Sequence, residues 1–196
     1  MKYLKYLLFL IIVLALIFFG KGMLTPSVSY ESEIVVNKPA NEAWAVMSDE
    51  SNLPKWIEGY KRTELVSGTA NTVGAISNVY VEDNGQEMMM EETITALKPN
   101  EHMAMTFTMD FMDMDYEILF KENDGKTNIS SKSTTMGNGI FSKSLISFMK
   151  GFMKEQEDKN LSNLKRVIEE NTKNYFPEPE IETQTVIDTT AVSLEE

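Results

Sequence analysis

The chain has no cysteine. That excludes disulfides, thiolate metal sites, a cysteine nucleophile and the lipidated cysteine of a bacterial lipoprotein. Histidine occurs once, as His102. With one imidazole and no thiol, the usual zinc sites and the usual catalytic triads cannot be assembled. Positive charge is scarce too: 18 Lys and Arg stand against 30 Asp and Glu, a net charge of −12. The ends do not account for this. Residues 1–25 carry three lysines, and residues 173–196 carry one lysine against six acids, which leaves −10 on the stretch between. A domain that acidic repels phosphate backbones, so no nucleic-acid partner is expected.

Only one stretch is uniformly hydrophobic. Residues 6–19 are unbroken apolar sequence, preceded by Lys2 and Lys5 and followed by Gly20-Lys21-Gly22. Counted from Tyr3, this makes roughly 17 residues and about 25 Å of helix, the short end of a membrane span. It has no polar face to meet water as a soluble helix would. A signal anchor and a cleaved signal peptide both fit. Phe18-Phe19-Gly20-Lys21 makes a poor cleavage site, which favours the anchor. The basic N-terminal flank then keeps the N-terminus cytoplasmic and sends the domain to the far side; cleavage would instead release a secreted domain. At the other end, the acidic, Pro- and Thr-rich residues 176–196 read as a disordered tail. The expected division is a membrane anchor over 1–24, a domain over 25–175 and the tail.

Within the domain, residues 30–37 read as a first strand. Lys38-Pro39-Ala40-Asn41-Glu42 opens a helix, since proline is tolerated at a helix start. Leu53-Pro54-Lys55-Trp56-Ile57 makes a second, short one. Strands are expected over 60–67, 74–82, 86–97, 102–110, 112–120 and 126–136. Asp83-Asn84-Gly85 and Asn123-Asp124-Gly125 supply hairpin turns. Met112, Met114, Tyr116, Ile118 and Phe120 alternate with Asp113, Asp115 and Glu117, one face apolar and one charged. A long amphipathic helix closes the domain over about 141–170. Its apolar stripe is read as Leu145, Met149, Phe152, Met153, Leu164 and Val167, interrupted by Gln156 and Asn160.

Three segments carry a resemblance. They are Lys38-Pro39-Ala40-Asn41-Glu42-Ala43-Trp44-Ala45-Val46, Asn52-Leu53-Pro54-Lys55-Trp56-Ile57-Glu58-Gly59, and the closing helix with Phe148-Met149-Lys150-Gly151-Phe152-Met153 and Asn160-Leu161-Ser162-Asn163-Leu164-Lys165-Arg166. In order and spacing they resemble the START/Bet v 1-like helix-grip superfamily, in its polyketide cyclase/dehydrase-like SRPBCC branch. The resemblance covers residues 30–171. It implies an α+β, helix-grip fold: an antiparallel curved sheet of six or seven strands around the C-terminal helix, with a ligand-sized cavity between them.

The candidate site follows from that cavity. Methionine is flexible and polarizable, so Met90, Met105 and Met114 suit an adaptable pocket wall, beside Phe107; ordinary core filling is the plainer reading. Alternation splits Met88-Met89-Met90 between faces, which argues against a thioether copper site. Asp110, Asp113 and Asp115 lack an EF-hand's glycine and closing glutamate. No metal and no cofactor are expected. Glu92 either enters the cavity as a carboxylate with a raised pKa or stays in water. In the resembled fold Trp56, Met149, Phe152, Gln156 and Asn160 border the cavity, with Trp56 as gate or core plug and the two amides as hydrogen-bonding groups or simply wet. Tyr116, on the apolar face of its strand, is a further candidate, and whether it points into the cavity is left open. The expected function is a membrane-anchored binding domain for a hydrophobic, lipid-like small molecule. A cyclase- or dehydratase-type enzyme using Glu92 or Tyr116, or a non-catalytic protein-interaction module of the co-chaperone type, are the alternatives.

Overall fold

A computed structural model of the chain describes residues 2–177. All but the first two residues of the expected acidic tail lie outside the described residues. The described chain begins with α1 (Lys2–Leu24), and β1 (Ser27–Val36) leads into α2 (Ala40–Ser48). A 3-10 turn (Glu50–Asn52) and the single-turn α3 (Leu53–Trp56) follow. Six strands come next: β2 (Tyr60–Ser67), β3 (Ile76–Asp83), β4 (Gln86–Lys98), β5 (His102–Met109), β6 (Met112–Asn123) and β7 (Lys126–Gly137). The last element is α4 (Ile140–Glu169). The strands form one antiparallel sheet of seven in the order β1-β7-β6-β5-β4-β3-β2. Each hairpin neighbour pairs with the next, and the first strand closes on the last. Asn84 and Asp124 take the left-handed backbone, at φ 50° and 51°, that their tight turns require. Register shifts in the β2–β3 and β4–β5 ladders bend the sheet.

The sheet curls around α4, and the core lies at the end where α4 finishes. Val36, Ala43, Ile118, Ile129, Leu161, Leu164 and Ile168 are all at most 1% exposed there. Trp44 meets Phe120 edge-on above them. Gly137 marks the corner at which β7 turns into α4: a Cβ there would come within 2.3 Å of the Lys143 amide nitrogen.

The buried face of α4 differs from the stripe expected of it. In its first half Ser144, Ile146 and Ser147 are buried, while Leu145, Phe148 and Phe152 are exposed. The serines can be buried because the helix itself satisfies them. Ser144 Oγ donates to the Ile140 carbonyl at 2.8 Å and Ser147 Oγ to the Ser144 carbonyl at 2.7 Å. Small side chains also let α1 come close. Gly22 is buried against Ser144, leaving no room for a Cβ. Phe18 stacks on Phe148 at 5.8 Å, and the Lys21 ammonium sits 4.0 Å over the same ring.

The α1 helix is long and apolar enough, over Tyr3–Leu24, to cross a membrane. At 1.5 Å per residue it extends about 35 Å, longer than the apolar run alone predicts. Only its last turns touch the domain; most of the rest is exposed.

Candidate functional site: a methionine-lined cavity

Beside the core, between the inner face of β2–β6 and the middle of α4, lies an open cavity of about 590 Å³. That volume lies within the range of small-molecule sites. The register builds its wall in rows. Ser77, Glu92, Phe107 and Met114 stand opposite one another across β3–β6, and Ile94, Met105 and Tyr116 form the next row. Both rows point inward because alternate residues of a strand share a face. The far wall comes from α3 and α4: Leu53 and Trp56 from the first, Phe152, Met153, Gln156, Glu157 and Asn160 from the second. A second depression of about 340 Å³ is lined mostly by polar and charged side chains and built around ionic contacts such as Lys173 with Asp49.

Ten of the eleven candidate residues line this cavity: Trp56, Met90, Glu92, Met105, Phe107, Met114, Tyr116, Phe152, Gln156 and Asn160. Met149 does not. It lies one turn before Met153, short of the stretch of α4, Phe152 to Asn160, that supplies the cavity wall. Of the consecutive methionines only Met90 lines the wall, while Met88 and Met89 are exposed beyond it. Trp56 combines two roles, since it packs on the core cluster and also lines the cavity. Its Nε1 is buried without a hydrogen-bond partner among the described residues, as is Ser48 Oγ on the same wall. Buried donors left unpaired are uncommon and costly.

The amides that interrupt α4 have a structural task. Gln156 Nε2 donates to Glu58 Oε2 at 2.6 Å, and Asn160 Oδ1 accepts from the Glu58 backbone N–H at 3.1 Å. Lys159 adds an ion pair to Glu58 at 2.6 Å. Together they tie the corner between α3 and β2 to α4, so both are engaged rather than simply wet. His102 lies elsewhere, on the outer face, paired with Glu117 at 2.8 Å. Among the described residues no group of His, Asp and Glu is arranged to hold a metal ion.

One residue of the site was not among the candidates. Glu157 reaches from α4 into the cavity, where its Oε1 accepts from Tyr116 Oη at 2.9 Å and from Ser131 Oγ at 2.5 Å. Burial pushes the Glu157 carboxyl above the usual carboxylate range, while the two hydroxyls oppose that shift. Burial raises the Glu92 carboxyl as well. Tyr116 goes far above an ordinary phenol, first through burial and then through the neighbouring Glu157 charge. The signal for Glu157 was its phase on the helix. At 100° per residue, it lies about 80° from the centre of the expected stripe. It is within about 15° of the centre of the buried residues Ile146, Leu161, Leu164, Val167 and Ile168.

A seven-stranded antiparallel sheet gripping a long C-terminal helix, with an apolar cavity between them, defines a helix-grip protein of the START/Bet v 1-like superfamily. Residues 27–169 match the family described as polyketide cyclase / dehydrase and lipid transport, and the chain belongs to that family. Solved structures agree on the fold. The chain is similar to Ara h 8.0201, at TM-score 0.61 and 16% identity over 74% of this chain and 99% of that one. It is also similar to the di-domain ARO/CYC StfQ from the steffimycin biosynthetic pathway, at TM-score 0.62 and 12% identity over 74% of this chain and 52% of that one. A START superfamily protein from Mycobacterium smegmatis aligns at TM-score 0.53 and 13% identity, over 72% of this chain and 94% of that one. At these identities the likeness is one of fold. No curated protein matches the chain.

Proposed function

We propose that this chain is a membrane-anchored domain that binds a hydrophobic, lipid-like small molecule in the cavity between the sheet and α4. The observation that carries the reading is the cavity itself: about 590 Å³, walled mostly by aliphatic, methionine and aromatic side chains. Binding there works by burial, at roughly 25 cal/mol per Å² of apolar surface removed from water. Methionines let the wall adjust to an irregular chain.

The N-terminal helix supports the anchored form. A cleaved signal would leave Phe141 and Phe148 without the Phe18 ring that packs on them. Phe141, Leu145, Phe148 and Phe152 are exposed along one side of α4. This stripe starts beside α1 and ends at Phe152, which also lines the cavity. An apolar ligand leaving a bilayer would find a continuous apolar path to the opening.

Two measurements test this. A long-chain alcohol bearing a diazirine, photolysed with the full chain in phospholipid nanodiscs, is expected to cross-link to β4–β6 and α4. A Met114→Trp variant, which fills the cavity, should lose those cross-links. Labelling confined to α1, or unchanged in the variant, overturns the binding site. Alkaline extraction of membranes should leave the full chain in the pellet and release a chain lacking residues 1–24; release of both overturns the anchor.

A second reading draws on the Tyr116–Glu157 contact. A carboxyl whose proton affinity is raised by burial, set beside a phenol, is equipped for general acid–base work, as a cyclase or dehydratase needs. Turnover of a bound substrate that falls in both Glu157→Gln and Tyr116→Phe would establish it, and binding without turnover would remove it. For the interaction-module reading, a cavity filled by methionine side chains would be the expected support, and the open volume does not supply it.

A further inference from the structure

The cavity wall is one-signed. Its lining includes Glu50, Glu92 and Glu157, and no Lys, Arg or His. Glu50 sits exposed at the rim, whereas Glu92 and Glu157 lie deeper. The basic side chains of the adjacent stretch of α4 are committed outward, Lys154 to Asp158 and Lys159 to Glu58. The two inner carboxylates also have acceptor capacity left. Both hydroxyls that meet Glu157 use Oε1, and Oε2 has no partner among the described residues. Glu92 has none at all there and no counter-charge; burial is the sole influence on its carboxyl.

From these observations we infer that the cavity selects amphiphiles whose polar end donates hydrogen bonds, cationic amines above all, and rejects those ending in a carboxylate or phosphate. The inference rests on the binding reading above and narrows its ligand class. An ammonium or hydroxyl entering the cavity meets Glu157 Oε2 and the Glu92 carboxylate, and a charge-assisted hydrogen bond forms in an apolar setting where it is strong. An anionic head meets like charge and finds no cation to replace its lost water. The Tyr116 and Ser131 hydroxyls are spent on Glu157, and the unpaired donors left on the wall, Trp56 Nε1 and Ser48 Oγ, are neutral and bring no charge to offset that of the carboxylates.

The test uses the full chain in zwitterionic nanodiscs and three diazirine-bearing probes of equal chain length, ending in an amine, an alcohol and a carboxylate. Labelling of β6 and α4 peptides is quantified by mass spectrometry against labelling of α1, which reports the probe's concentration in the bilayer. The amine is expected to label the cavity at least tenfold more than the carboxylate, or about 1.4 kcal/mol, with the alcohol between. Glu157→Gln and Glu92→Gln should each narrow that ratio, and the double variant should bring it near unity while alcohol labelling persists. An equal or reversed order in the unaltered chain overturns the inference. So does a ratio that survives in the double variant, since the outer surface charge would then be its source. If no probe labels the cavity, the binding reading itself fails; if the alcohol labels it and the order is flat, only the selectivity fails.

Discussion

The two ends of the sheet–helix sandwich are made from the same elements and packed differently. At the end where α4 finishes, Ile129, Leu164 and Ile168 are fully buried and meet α2 from the other side. Around the middle of α4, the wall residues Met90, Met105, Phe107 and Met114 are only partly buried and face open volume. The closed end uses branched side chains with few rotamers. The open end uses methionine and carries the carboxyls and unpaired donors that a core avoids. Close packing is concentrated at one end, and the other keeps open volume.

Truncation at the closed end should have the largest effect. Leu164→Ala deletes a fully buried side chain among Ile168, Ile129 and Val46 and leaves a hole that rigid neighbours cannot fill. A loss of about 2–5 kcal/mol is expected, read by urea unfolding of the detergent-solubilised chain followed by the fluorescence of Trp44 and Trp56. A loss below about 1 kcal/mol would mean that the closed end is as loosely packed as the cavity. Met105→Ala cuts a side chain of similar size at the open end. Its wall already faces empty space, so no new void is sealed, and the expected loss is under about 1.5 kcal/mol, well below the usual cost of truncating a core methionine. Equal losses for the two variants would erase the difference between the ends.

Much of this division was legible in the sequence. Period-2 alternation from Met112 to Phe120 marked the inner face, and the turns at Asn84-Gly85 and Asp124-Gly125 set the neighbouring registers. Register then brings Glu92, Phe107 and Met114 into one row, so strand candidates were found together. On α4 the reading slipped by most of a quarter-turn. Leu145 is strongly apolar but exposed, and Phe152 is largely exposed at the edge of the cavity, whereas Ser144 and Ser147 are polar by composition but buried. A helix that borders two apolar partners has no single hydrophobic face. The partner of its outer face, the α1 helix, is remote in sequence. That rotation hid Glu157 and placed Met149 in a cavity it does not line. The pairing of Gln156 and Asn160 with Glu58 was equally hidden, because it depends on a corner about a hundred residues away.

The smallest expected effect is the sharpest probe of the open end, because it predicts a gain. Burial raises the Glu92 carboxyl with no partner to compensate. The folded chain therefore holds that proton to higher pH than the unfolded chain, where glutamate titrates near 4.3. Between that value and the raised one, the folded state binds more protons. Stability consequently falls as pH rises through the window, and the full penalty applies above it. Glu92→Gln removes the penalty. The variant should be more stable than the parent near neutral pH, by about 1 kcal/mol or less, and the gain should vanish below about pH 4. Groups with lowered carboxyls, such as Glu58 beside Lys159 and Asp158 beside Lys154, oppose this trend in the parent. They cancel in the difference between variant and parent, so the difference curve is the quantity to measure. A Glu92→Gln variant that is less stable at neutral pH would show that the carboxylate has a partner within the fold. The open end would then be a packed core with a gap rather than a site held ready for a ligand.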